Sequence, residues 1–231
     1  MSIIKIKVQD RSNPDKTIEL SRYAVDPKEE PTAVLFGSFV PFTGPKGHGR
    51  MLEFAKKHGI KKFAIVSPTK DDTKETDRNM FNLKQKLDIA KHGAKDMGFN
   101  VDAFNVKATN PLGMFREIAS KIDRPVIIVG PDRKAQFEKF FIPFDKRNKP
   151  ITDQENKNFG KGEMLAMTDR GTSNTSGTKV RESLRNNDKE TFIELTGYTE
   201  KMYNYLKKML NESVTESDCN YIIEATHYMF E

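Results

Sequence analysis

From residue 32 onward, short apolar runs alternate with amphipathic stretches. TAVLF (32–36), KKFAIVSPT (61–69), VDAFNV (101–106) and PVIIVG (125–130) are brief and rich in β-branched residues, as strands buried on both faces of a parallel sheet are. Between them, apolar residues recur at helical spacing. GRMLEFAKKHG (49–59) places Met51, Leu52 and Ala55 on one side. MFNLKQKLDIAKHGAKDMG (80–98) carries a stripe of Phe81, Leu83, Leu87, Ala90 and Ala94, and PLGMFREIASKI (111–122) has proline in its first turn. Strand–helix alternation calls for right-handed crossovers and a parallel sheet covered by helices on both faces. The pattern predicts a doubly wound α/β domain from residue 32 to about 185.

Outside that stretch the pattern changes. IIKIKV (3–8) alternates loosely and TIEL (17–20) follows a turn-rich DRSNPDK, which reads as an N-terminal β-hairpin or a pair of edge strands. Residues 143–171 are polar and rich in Gly, Asn and Lys, and are expected to form a long loop or irregular insertion. Helical patterns return near Gly177 and over 189–195 and 199–212, and SDCNYIIEATHYMFE (217–231) reads as a final helix with a Ser or Asp cap. Aromatic residues there, such as Tyr203, Tyr205, Tyr221 and Phe230, would cover the domain or join copies into a homo-oligomer. The expected organisation is an extension over 1–31, the α/β domain over 32–195 and a helical extension over 196–231.

Composition narrows this picture in three ways. A single cysteine, Cys219, rules out an intramolecular disulfide and a thiolate metal cluster. No segment approaches the length of a membrane span and the N-terminus lacks a signal-peptide pattern, so a cytoplasmic location and no membrane partner are expected. The net charge of +6 favours anionic partners, yet no aromatic–basic recognition pattern accompanies it, which ranks nucleic acid below small phosphorylated molecules.

Three segments could hold phosphate, and each follows a strand or opens a helix. GSFVPFTGPKGH (37–48) leaves the first strand through three glycines and two prolines and ends on His48. Glycines let backbone N–H groups approach an anion, and the helix that follows directs its positive end there. The plainer reading is a structural turn with a capping histidine. VGPDRKAQFEKF (129–140) offers Gly130 for a tight exit, Asp132 for a ribose hydroxyl or a helix cap, and Arg133 for phosphate or solvent. SNTSGTKVRESL (173–184) combines hydroxyls and a glycine with Lys179 and Arg181 in one turn: an anion trap, or an ordinary N-cap.

Taken together, these segments resemble a family: the nucleotidyltransferase superfamily with the [H/T]xGH motif, cytidylyltransferase-like and nicotinamide-nucleotide adenylyltransferase-like. Its members carry G-x-F-x-P-x-[H/T]-x-G-H after the first strand and an S-x-T-K-x-R-type motif at a late helix. Gly37, Phe39, Pro41, Thr43, Gly47 and His48 match the first motif, and Ser176, Thr178, Lys179 and Arg181 match the second. VGPDR looks like the V-G-S-D-R segment of small phage-encoded members, for which the location would be the host cytoplasm. The resemblance covers roughly residues 32–195. It departs at one place, where Gly44, Pro45 and Lys46 stand in for the single residue expected between Thr43 and Gly47.

The resemblance implies a Rossmann-like fold and in-line transfer of a nucleoside monophosphate from ATP or CTP to a phosphorylated small-molecule acceptor. It assigns catalysis to His48, Thr43 or Lys46, and Arg181. It assigns nucleotide binding to Gly37, Ser38, Phe39, Gly47, Gly130, Asp132, Arg133, Ser176, Thr178 and Lys179. Mg²⁺ is expected on the phosphates rather than on a protein cage. A nucleotide-binding or structural protein that has lost catalysis on the same fold is the alternative. Lys84 and Lys86 could reach the acceptor or simply face solvent.

Overall fold

The computed structural model describes residues 2–10, 13–24, 29–39, 41–68, 80–108, 111–144, 162–168 and 176–211. At the N-terminus, β1 (Ser2–Asp10) and β2 (Asn13–Ala24) pair antiparallel as a two-stranded sheet, longer at both strands than the short alternating runs suggest.

The strands of the main sheet form from the apolar runs: β3 (Thr32–Phe36), β4 (Lys62–Pro68), β5 (Asp102–Val106), β6 (Pro125–Val129), β7 (Phe141–Pro143) and β8 (Gly162–Ala166). They assemble all parallel in the order β5-β4-β3-β6-β8-β7. The helices are α1 (Gly49–Lys57), α2 (Leu83–Asp96), α3 (Pro111–Ala119), the single turn α4 (Lys134–Phe137), α5 (Gly177–Arg185), α6 (Lys189–Thr196) and α7 over residues 200–211.

Alternation along each strand divides the core in two. Ala33, Leu35, Phe63, Ile65, Val126, Ile128 and Leu165 pack with α1, α2, α5, α6 and α7. Val34, Ala64, Val66, Ile127, Val129 and Met164 pack with α3 and α4. Helices on both faces make the sheet doubly wound, as the periodicity predicts. The chain builds outward from β3 to β5 and then returns to the other side of β3 at β6. The switch point, where ligands bind in such sheets, therefore lies beyond the carboxyl ends of β3 and β6.

Two expectations are corrected. The stretch 143–171 is not all irregular, because residues 162–166 form β8, a buried strand between β6 and β7. GEMLA escapes a reading by apolar runs because it carries Glu163 at a buried position. That charge is tolerated because Arg124 Nε reaches its carboxylate at 3.4 Å. The buried face of α2 is also rotated from the predicted stripe: Ile89, Ala90, Gly93 and Ala94 are buried, whereas Leu83 and Leu87 are half-buried. The capping box between Asn82 and Gln85 starts the helix after Phe81, so Phe81 packs into the core from outside the helix. The final helix expected over 217–231, Cys219, Tyr221 and Phe230 lie outside the described residues.

Candidate active site

The loop leaving β3 is shaped by aromatic packing and by one closed hydrogen-bond ring. Phe39 adopts a positive φ of 44°, a conformation that costs a non-glycine residue energy. Its ring folds back over Gly37, where a Cβ would lie 3.4 Å from it. It also meets His48 edge-on at 5.0 Å, Phe42 stacks on the imidazole at 5.7 Å, and the two phenyl rings meet each other at 5.6 Å. The imidazole and the two phenyl rings form a three-membered aromatic cluster, and His48 as a residue keeps partial exposure.

Thr43 fixes the imidazole's protonation state. Its backbone N–H donates to His48 Nδ1 at 3.1 Å, and its hydroxyl lies 2.8 Å from the same nitrogen. The backbone N–H of His48 donates in turn to Thr43 Oγ1 at 2.9 Å. An amide N–H can only donate, so Nδ1 must be bare, and the hydroxyl, already accepting from His48, donates a second hydrogen bond to Nδ1. The neutral ring then carries its hydrogen on Nε2. Burial against the phenyl rings lowers the His48 pKa to about 4, which keeps this neutral form in place at pH 7.

Gly44, Pro45 and Lys46, two residues more than the family's spacing, leave Thr43 bonded to His48. They are taken up in a turn closed by Gly47 N–H to the Gly44 carbonyl at 2.9 Å and by Gly49 N–H to the Thr43 carbonyl at 3.0 Å. The amides of Arg50 and Met51 also donate to loop carbonyls, those of Gly47 and His48. The expected exposure of these N–H groups to an anion is thus not met at residues 47–51, because closing the longer turn engages them. His48 stands at the start of α1 but makes no side-chain cap bond, so the reading as a capping histidine is not realised. Lys46 donates from Nζ to the Glu194 carbonyl at 2.7 Å and from its backbone N–H to the Thr196 carbonyl at 3.1 Å, on the last turn of α6.

The second segment leaves β6, next to β3 at the switch point. Asp132 folds its carboxylate over Gly130, where a Cβ would lie 2.8 Å from Oδ1. Arg133, not Asp132, occupies the cap position of α4, and both side chains are exposed. In the third segment, Ser176 is the N-cap of α5 and makes no side-chain cap bond. Thr178 and Lys179 are exposed. The Arg181 guanidinium turns back over the first turn, with Nη2 donating to Thr178 Oγ1 at 3.2 Å. Val180 and Leu184 anchor α5 in the same core cluster as Phe39, Phe42 and Leu52, on the face that carries His48. The three segments therefore follow three adjacent strands, β3, β6 and β8.

Ser67 near this edge escaped the sequence reading, and Lys86, read there as reaching the acceptor or facing solvent, is buried. Ser67, at the carboxyl end of β4, is buried, and its hydroxyl has no hydrogen-bond partner among the described residues. Lys86, in the first turn of α2, is 1% exposed while Lys84 is solvated. Helical lysines usually face water, and nothing in the local pattern marks Lys86 as an exception.

A doubly wound parallel sheet with helices on both faces and the three segments after adjacent strands at its switch point defines an α/β protein of the Rossmann-like class. The chain belongs to the cytidylyltransferase-like family, whose model matches residues 34–183 and so spans the sheet and all three segments. That membership points to nucleotidyl transfer as the general chemistry. No curated protein matches the chain. Among the described residues, no helix is long and apolar enough to cross a membrane.

Proposed function

We propose that this protein transfers AMP from ATP, in preference to CMP from CTP, to a phosphorylated small molecule. An acceptor phosphate oxygen attacks the α-phosphorus in line as the bond to the bridging α,β-oxygen breaks, and pyrophosphate leaves with that electron pair. No covalent enzyme intermediate is needed, so positioning and charge stabilisation carry the catalysis. The observation that carries this reading is the neutral His48 with its proton on Nε2. Such a ring donates to phosphate oxygens as charge grows on them, and two aromatic rings hold it in place.

In this reading Gly37, Ser38 and Phe39 shape the approach of the α-phosphate, and Thr43 orients His48. Ser176, Thr178, Lys179 and Arg181 receive the β- and γ-phosphates at the start of α5, and Gly130, Asp132 and Arg133 line the nucleoside or acceptor side. The preference for ATP rests on the likeness of VGPDR to adenylyl-transferring relatives. The described residues bring no three His, Cys, Asp or Glu side chains together. In this reading Mg²⁺ is carried on the nucleotide's phosphates, where it would neutralise charge on the leaving pyrophosphate.

The test is pyrophosphate release with ATP and with CTP, each offered with a panel of phosphorylated acceptors. Turnover is expected with at least one ATP pair, and His48→Ala should lower it by about 10²-fold or more with the fold intact. Binding of ATP without turnover on any acceptor would establish the alternative, a nucleotide-binding protein that has lost catalysis.

A further inference from the structure

We infer that Tyr198 is a positioning residue for His48, acting through the single peptide group between Phe42 and Thr43. The Tyr198 hydroxyl donates to the Phe42 carbonyl at 3.1 Å. The N–H of that same peptide plane, on Thr43, donates to His48 Nδ1 at 3.1 Å. One rigid amide is thus held at both ends, and a carbonyl that accepts a hydrogen bond makes its own N–H a better donor. The phenol fixes the orientation of the group that keeps Nδ1 bare and Nε2 protonated.

The surroundings of Tyr198 are built for this contact. Its side chain is buried at 2% exposure, and burial holds its hydroxyl proton well above the usual tyrosine range, so it donates throughout the working pH range. Gly93 on α2 leaves room for the phenol oxygen, which a Cβ there would strike. Gly44 leaves room for the ring, since a Cβ there would lie 2.7 Å from Cδ1. Gly197, in the left-handed conformation at φ 70°, ends α6 and turns the chain so that Tyr198 enters the core. Lys46 completes the attachment by binding the last carbonyls of α6, the negative end of that helix. Gly44 and Lys46, both in the stretch that departs from the family's spacing, are therefore the residues that tie the His48 loop to α6 and Tyr198.

This inference rests on reading His48 as the transition-state donor, but its test does not need turnover. In ¹⁵N-imidazole NMR of the full chain, His48 should show a bare Nδ1 and a protonated Nε2. Tyr198→Phe should mix the two tautomers and move the His48 titration midpoint upward from near 4, because protonating Nδ1 then breaks a weaker bond. Where turnover is measurable, the same variant should lower kcat by about tenfold and leave KM for the nucleotide within about twofold. Tyr203→Phe, which changes a neighbouring buried tyrosine, should leave the His48 signals unchanged. If Tyr198→Phe does not fold, a fluorinated tyrosine at 198 keeps the ring and strengthens the hydroxyl as a donor. The His48 Nδ1 shift should then move in the opposite sense. Unaltered His48 nitrogen shifts in a folded Tyr198 variant would overturn the inference, even if nucleotidyl transfer proceeds. Failure of every acceptor to turn over, with the expected NMR response, would instead overturn the proposed function alone.

Discussion

His48 is uncharged at neutral pH because its ring is buried against Phe39 and Phe42 and its Nδ1 accepts from Thr43. This has a consequence for stability. The folded pKa of about 4 lies below the ordinary histidine value near 6.5, so the unfolded chain binds the proton first as pH falls. The stabilisation is fully present above pH 6.5 and is lost as pH falls from there toward 4. At ~1.4 kcal/mol per pH unit, the loss has a ceiling of about 3 kcal/mol. Urea unfolding at pH 7, 5.5 and 4.5 should show this decline, and His48→Asn should remove that component of it. The same pKa predicts that the acid limb of kcat falls near 4; a limb near 6.5 would mean that the ring is not buried during turnover. The motif itself is legible in the sequence, whereas the tautomer is not, since it depends on which of two ring nitrogens a backbone amide faces.

At the scale of elements, α2 shows how a helix can look weak in sequence and be well placed in the fold. Gly93 sits in its interior, where glycine costs roughly 1 kcal/mol relative to alanine by propensity alone. Read locally, Gly93→Ala should stabilise. In the fold, the added Cβ would collide with the Tyr198 hydroxyl, which is itself bonded to the His48 loop. Gly93→Ala is therefore expected to destabilise by about 1–3 kcal/mol in denaturant titrations. It should also perturb the His48 NMR signals, unlike an alanine at Gly59, which has open space but a strained φ of 82°. The boundaries of α2 were set by Asn82 and Gln85, a signal that the sequence carries. Its buried side was set by contacts with α7 and Tyr198, including Gln85 Nε2 to the Met209 carbonyl at 3.0 Å.

For the molecule as a whole, the sheet is completed by a charge pair. Arg124, just before β6, reaches Glu163 on β8 and donates from Nη1 to the Glu29 carbonyl at 2.6 Å. One side chain thereby joins the segment before β3 to the strands beyond the switch point. Glu163 is 1% exposed, so removing its partner would strand a charge in the core. Arg124→Ala should cost about 3–5 kcal/mol in urea unfolding, and Arg124→Met combined with Glu163→Met should recover much of it. A loss within the range of a surface substitution would show that water reaches the pair.

The strands at 32–36, 62–68, 102–106 and 125–129 and the helices between them were determined by the sequence, because each is written in neighbours a few residues apart. Periodicity of two or of 3.6 and the punctuation of glycine and proline are local signals. What only the tertiary structure decided depends on partners far apart along the chain. β8 takes an interior place in the sheet because Arg124 neutralises Glu163, 39 residues away. Lys46 holds the end of α6 across 148 residues, and Tyr198 reaches Phe42 across 156. No local pattern encodes such pairings, so the role of Gly44 and Lys46 as a tie between the His48 loop and α6 emerged only when the chain had folded.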